Sequence, residues 1–103
     1  MNAVSRRIRR RVHADFPEEA EQVVQELAEL TEDVLPDLPR DAAAIERIQL
    51  AALLVARRQR PSLDEALTLG RTDWRDLLVA ANLESRNWRE LVDRELARRW
   101  PWR

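Results

Sequence analysis

Carboxylates are the only side chains of this chain present in numbers that could do chemistry. Its 103 residues hold no cysteine and no tyrosine, one histidine, His13, and serines only at 5, 62 and 85. All 18 basic residues are arginine. Nucleophilic triads, Schiff-base lysines, thiolate metal sites and phosphate-cradling loops therefore each lack a member. Asp73 with Asp76, or the cluster Glu18, Glu19 and Glu21, has the spacing to act as acid and base or to hold a divalent cation. Each of these carboxylates also falls in the first turn of an expected helix, where the helix dipole favours negative charge. His13 stands alone at the end of a basic helix, where a histidine suits the dipole with no further purpose. The expectation is a protein that is not an enzyme and carries no cofactor and no metal.

Binding is the chemistry that remains, and charge is unevenly distributed for it. Arg6, Arg7, Arg9, Arg10 and Arg11 give the first twelve residues five positive charges, while residues 15–46 carry eleven acids against Arg40 alone. The net charge of -1 conceals that asymmetry. The five arginines on one helix could contact nucleic-acid phosphates, each contact adding salt-dependent affinity. The alternative is internal: the basic helix packs beside the acidic second helix and the charges satisfy each other. Aromatic residues are concentrated at the other end, where Trp74-Arg75, Trp88-Arg89 and Trp102-Arg103 recur at fourteen-residue intervals. Trp74 and Trp88 follow a capping residue and read as core anchors. Trp102 and Arg103 follow Pro101 instead and are the terminal pair expected to be exposed and open to a partner.

Helices must position these groups, because alanine, leucine, glutamate and arginine dominate and no window shows strand alternation. A first helix is expected over Val4 to Ala14, from the four-residue spacing of Val4, Ile8 and Val12. A second should start at Asp15 as an acidic N-cap, with Pro17 in its first turn and Ala20, Val23, Val24, Leu27 and Leu30 as its buried stripe. Val34 to Pro39 reads as a connection, its two prolines opposing helix. Asp41 can cap a third helix to about Arg58, apolar on most sides and therefore central. Ser62 to Glu65 matches a capping box for a short fourth helix to Leu69, with Gly70 closing it in the left-handed conformation. Asp73 and Asn87 begin two further helices with one shared pattern: cap, Trp-Arg, an acid, then an apolar pair. Ala66 to Val79 has some of the spacing of a helix-turn-helix, but Arg71 and Asp76 fall where that motif needs apolar contacts.

The expected fold is a single all-α domain of five to six helices with the helix at about 41–58 central, residues 1–14 forming the basic helix and 100–103 a tail. The longest apolar stretch, Leu50 to Ala56, is far short of the roughly 18 residues of a membrane span, and no signal-peptide pattern follows the arginines at the start. A cytoplasmic location is the default. Glu46 to Ala56 and Thr72 to Ala81, with the Asp15-Phe16-Pro17 segment, resemble stretches of small helical proteins from GC-rich bacteria. The resemblance implies a compact helical domain and brings no activity or site residue. A glycine often stands in those proteins at the place of Asn82, which implies a helix end there. The expected function is a protein-interaction or regulatory module, engaging a partner protein or a second copy. Nucleic-acid binding through the amino-terminal arginines is the alternative.

Overall fold

The computed structural model describes residues 4–38 and 40–97, which form α1 (Arg6–Asp15), α2 (Ala20–Val34), α3 (Ala42–Ala56), α4 (Arg60–Thr72), α5 (Trp74–Ala80) and α6 (Trp88–Ala97). The chain is all-α, with no strand among the described residues.

α3 is the element on which the others rest, and it touches all five. Asp41 starts it by accepting the Ala44 N–H at 2.7 Å, satisfying one of the amides that a helix start leaves without a partner. From Ile48 to Leu53 every side chain is buried, so α3 buries all its faces where an ordinary surface helix buries one stripe. The remaining helices each contribute such a stripe: Ile8 and Val12 from α1, Val23, Leu27 and Leu30 from α2, Leu63 and Leu67 from α4, Leu77 and Leu78 from α5, Val92 and Leu96 from α6. One continuous core results. Inside it the Gln49 Nε2 donates to Thr31 Oγ1 at 2.8 Å, and Thr31 Oγ1 donates to the Leu27 carbonyl at 2.9 Å.

Several boundaries differ from the sequence expectation. Asp15 does not cap α2; it is the last residue of α1, held there by the i,i+4 bond that Arg11 Nε donates to Asp15 Oδ2 at 3.0 Å. Residues 16–19 turn the chain instead, and α2 begins at Ala20. Ser62 does not start α4, which begins at Arg60 with Pro61 in its first turn. Nor does Gly70 end it. Gly70 is an ordinary helical residue, and α4 runs on to Thr72. A Cβ at Gly70 would stand 3.0 Å from Leu77 Cδ2 and 3.1 Å from Leu30 Cδ1, so the glycine serves the close approach of α4 to α5 and α2. The left-handed positions are Arg57 (φ 50°), Arg58 (φ 63°) and Asn82 (φ 59°). Asn82 ends α5 in a Schellman arrangement, with Leu83 N–H bonded to Leu78 O at 2.9 Å and Asn82 N–H to Val79 O at 3.0 Å. The helix end expected there is present.

Candidate functional site

Ser5 sets the geometry of the basic helix. Its Oγ accepts the Ile8 N–H at 3.2 Å and donates to Glu46 Oε2 at 2.6 Å, tying the start of α1 to α3. Arg7, two residues on, donates to the same carboxylate through Nε at 3.2 Å and Nη2 at 2.6 Å, and its Nη1 lies 3.0 Å from Asp93 of α6. Arg11 contacts Asp15 through Nε and Glu95 through Nη1 at 3.2 Å. Arg9 reaches Glu21 at 3.7 Å, with His13 3.4 Å from the same carboxylate. Arg10 Nη2 donates to the Leu96 carbonyl at 3.3 Å, and Arg6 is exposed. Internal charge satisfaction thus occurs, but the acids come mainly from α3, α6 and the end of α1. From α2 only Glu21 takes part among the described residues.

The titration behaviour follows from these contacts. Burial would raise the Glu46 carboxyl, but the hydrogen bonds from Arg7 and Ser5 outweigh it and hold Glu46 below its ordinary value. Arg7 is raised in turn, chiefly by its bond to Glu46. Asp15 is raised, because burial of its carboxylate exceeds the attraction of Arg11 and Arg58. Glu26 of α2 is lowered by the hydrogen bond from Arg60 Nη2, 2.6 Å away.

Of the carboxylates that could have done chemistry, Asp73, Glu19 and Glu21 make local contacts. Asp73 Oδ1 accepts from Arg75 N–H at 3.0 Å and caps α5, while Asp76 is exposed in the first turn. Glu18, Glu19 and Glu21 are exposed, Glu19 lying 3.6 Å from Arg60. No group of acids among the described residues is arranged to hold a metal ion. An open groove of about 450 Å³ runs along α4 past Asp64, Glu65, Thr68, Leu69 and Thr72, all from that one helix.

The tryptophans complete the picture. Trp74 and Trp88 are both half-buried and packed on the core, as anchors would be. Trp88 differs in its neighbours: the guanidinium carbons of Arg47 and Arg89 each lie 4.4 Å from its ring centroid. Arg47 Nε also donates to the Leu83 carbonyl at 2.9 Å, beside the helix end made by Asn82. Neither arginine has a carboxylate within ion-pair distance among the described residues. Burial and the charge of Arg89 lower Arg47, against the opposing influence of Glu84. Arg7, Arg11 and Arg60 by contrast each contact two or three carboxylates.

Comparison with protein families, with curated proteins and with solved structures finds no match to this chain.

Of the arginines singled out in the sequence, Arg7, Arg9 and Arg11 are held by carboxylates, Arg10 by a carbonyl, and Arg6 stands in solvent. Trp102 and Arg103 lie outside the described residues. The Arg47–Trp88–Arg89 group was not singled out as a site. Its one sequence signal is the Trp88-Arg89 dipeptide; that Arg47, 41 positions before Trp88, joins it depends on how α6 settles against α3.

Proposed function

We propose that this chain is a non-enzymatic interaction module that engages a protein partner through polar and aromatic surface around Trp88. One observation carries the reading: Arg47 and Arg89 both lie against the half-buried Trp88 indole with no carboxylate at ion-pair distance among the described residues. Arginine and tryptophan are the residue types that concentrate binding energy at protein interfaces. A half-buried guanidinium that lacks an acidic partner gains one on binding, which is a favourable term other arginines of the chain have already spent internally. An apolar route to association has less support. Val79, 55% exposed, is the one large hydrophobic standing out to solvent among the described residues, and larger continuous patches mark apolar docking faces.

The competing reading, nucleic-acid binding through Arg6, Arg7, Arg9, Arg10 and Arg11, has lost support, since three of the five have carboxylate contacts. It requires retention on DNA or RNA that falls by orders of magnitude between about 50 and 200 mM salt. No helix among the described residues is long and apolar enough to cross a membrane.

A photo-crosslinking residue at position 86, in the exposed loop before Trp88, tests the module reading against the same residue at position 25 on the outer face of α2. A discrete adduct from position 86 that disappears in Arg47→Gln and Arg89→Gln, and does not form from position 25, is expected. An adduct of twice the chain mass identifies the partner as a second copy. Equal adducts from both positions, or none, overturn the reading.

A further inference from the structure

Three charged clusters are built into the fold: the buried Asp15 among Arg11, Arg58 and Glu95, the Arg60 cluster with Glu19, Glu26 and Asp64, and the pair of arginines on Trp88. The first two bring charges of both signs into direct contact. The third holds two cations with no ion pair among the described residues.

We propose that Arg47 and Arg89, held against the Trp88 indole, form a receptor for a phosphomonoester dianion. The inference rests on the interaction-module reading and names the chemistry of the group that the module takes. Both guanidinium carbons lie 4.4 Å from one ring centroid, so they are at most twice that distance apart. A phosphoryl group at the ring edge can accept from a different guanidinium on each of two oxygens. The indole attracts both cations through its π faces. The Arg47 Nε is already fixed by the Leu83 carbonyl at 2.9 Å, which restricts the side chain and reduces the entropy lost when an anion is bound.

Charge decides between phosphate and carboxylate. Elsewhere in the chain one carboxylate meets one guanidinium closely: Glu46 with Arg7 at 2.6 Å, Glu26 with Arg60 at 2.6 Å, Asp33 with Arg71 at 2.7 Å. A carboxylate carries a single charge, which even Asp15, facing both Arg11 and Arg58, must share between its two partners. Two arginines sharing one indole repel each other, and Glu84 offsets this only in part. A phosphomonoester carries close to two negative charges near neutral pH and three strong acceptor oxygens, which matches two cations held on one indole.

The test is a titration of the whole chain followed by the Trp88 indole N–H resonance in 15N-edited NMR, assigned with a Trp88→Phe variant. Inorganic phosphate and O-phosphoserine are expected to shift that resonance saturably, and acetate at the same ionic strength is not. Affinity should rise from pH 5 to pH 7.5 as the group takes its second charge, with a pKa of about 6. Arg89→Gln should weaken binding at least tenfold, while Arg86→Gln leaves it unchanged. Arg89 is exposed and has no hydrogen bond or ion pair among the described residues, so its variant tests the site even if Arg47→Gln weakens the fold. A phosphoserine peptide that binds more tightly than inorganic phosphate assigns the group to a phosphorylated chain; the reverse order assigns it to free phosphate. Absence of a saturable shift, equal binding of acetate, or unchanged affinity in Arg89→Gln overturns the proposal. If the position-86 adduct survives phosphatase treatment of the partner, this inference fails while the module reading stands.

Discussion

Arg7 grips Glu46 through two nitrogens, at 3.2 Å and 2.6 Å, and so joins the basic helix α1 to the central helix α3 across 39 positions of sequence. Ser5 adds a third hydrogen bond to the same carboxylate. Glu46→Ala should lower stability by about 1 kcal/mol, a value already discounted for the solvent that reaches Arg7. Urea unfolding measures it, and a loss below a few tenths would show that the pair is only a surface contact.

Acid should act on this fold through groups of opposite sign. Glu46 and Glu26 titrate below their ordinary values in the folded chain, so their stabilisation is present above the unfolded value of about 4.3 and is lost as pH falls through the folded one. Asp15 is raised, so ionising it costs the fold stability as pH climbs above the unfolded value of about 3.9. Unfolding measured from pH 3 to pH 7 should therefore show a smaller acid-induced loss in Glu46→Gln. Asp15→Asn should be at least as stable as the parent chain at pH 7; a clear loss would mean that the Arg11 contact outweighs burial.

Gly70→Ala sets two effects against each other. Helix propensity favours alanine by about 1 kcal/mol, while the new methyl at 3.0 Å from Leu77 and 3.1 Å from Leu30 overpacks a core in which both leucines are fully buried, at about 1–3 kcal/mol. A net loss is expected by chemical denaturation. A gain would show that Leu30 and Leu77 shift without cost.

Asn82 holds a left-handed conformation with φ 59°. Asn82→Gly should leave stability unchanged or raise it, whereas Asn82→Val should cost about 1–2 kcal/mol, because a β-branched side chain crowds the backbone at positive φ and lacks the polar group that helps asparagine adopt it. Thermal unfolding of the two variants should separate them in that order.

The buried pair Gln49 and Thr31 predicts a cycle. Thr31→Val removes the oxygen that accepts from Gln49 Nε2 at 2.8 Å and should cost about 1–3 kcal/mol. Thr31→Val combined with Gln49→Leu should cost less than the two single changes added together, because both polar groups leave the core at once. Additivity would show that the two side chains are not coupled.

Helix identity was legible in the sequence because its causes are local. The Asp41 and Asp73 caps act on amides two or three residues away, the apolar run from Leu50 to Ala56 announces a helix buried on most faces, and both starts lie where the residue pattern places them. The end at Asn82 belongs to the same class. Local signals also misled where two partners competed for one group. Asp15 has the type and spacing of an N-cap, yet its carboxylate goes to Arg11 within α1 and faces Arg58 beyond α3. Gly70 resembles a helix stop, and only the approach of Leu30 and Leu77 reveals that its missing side chain makes room for neighbouring helices. Charge pairing was the least readable. The sequence by itself determined that five arginines stand on one short helix and that two Trp-Arg pairs begin later ones. Only tertiary structure decided that Arg7 and Arg11 find acids on α3 and α6, and that Arg47 reaches the indole of Trp88 with Arg89 and no acid. The reason is physical: a guanidinium on a long flexible stem bonds whatever acceptor the packed helices bring within reach, and sequence distance places no limit on which one that is.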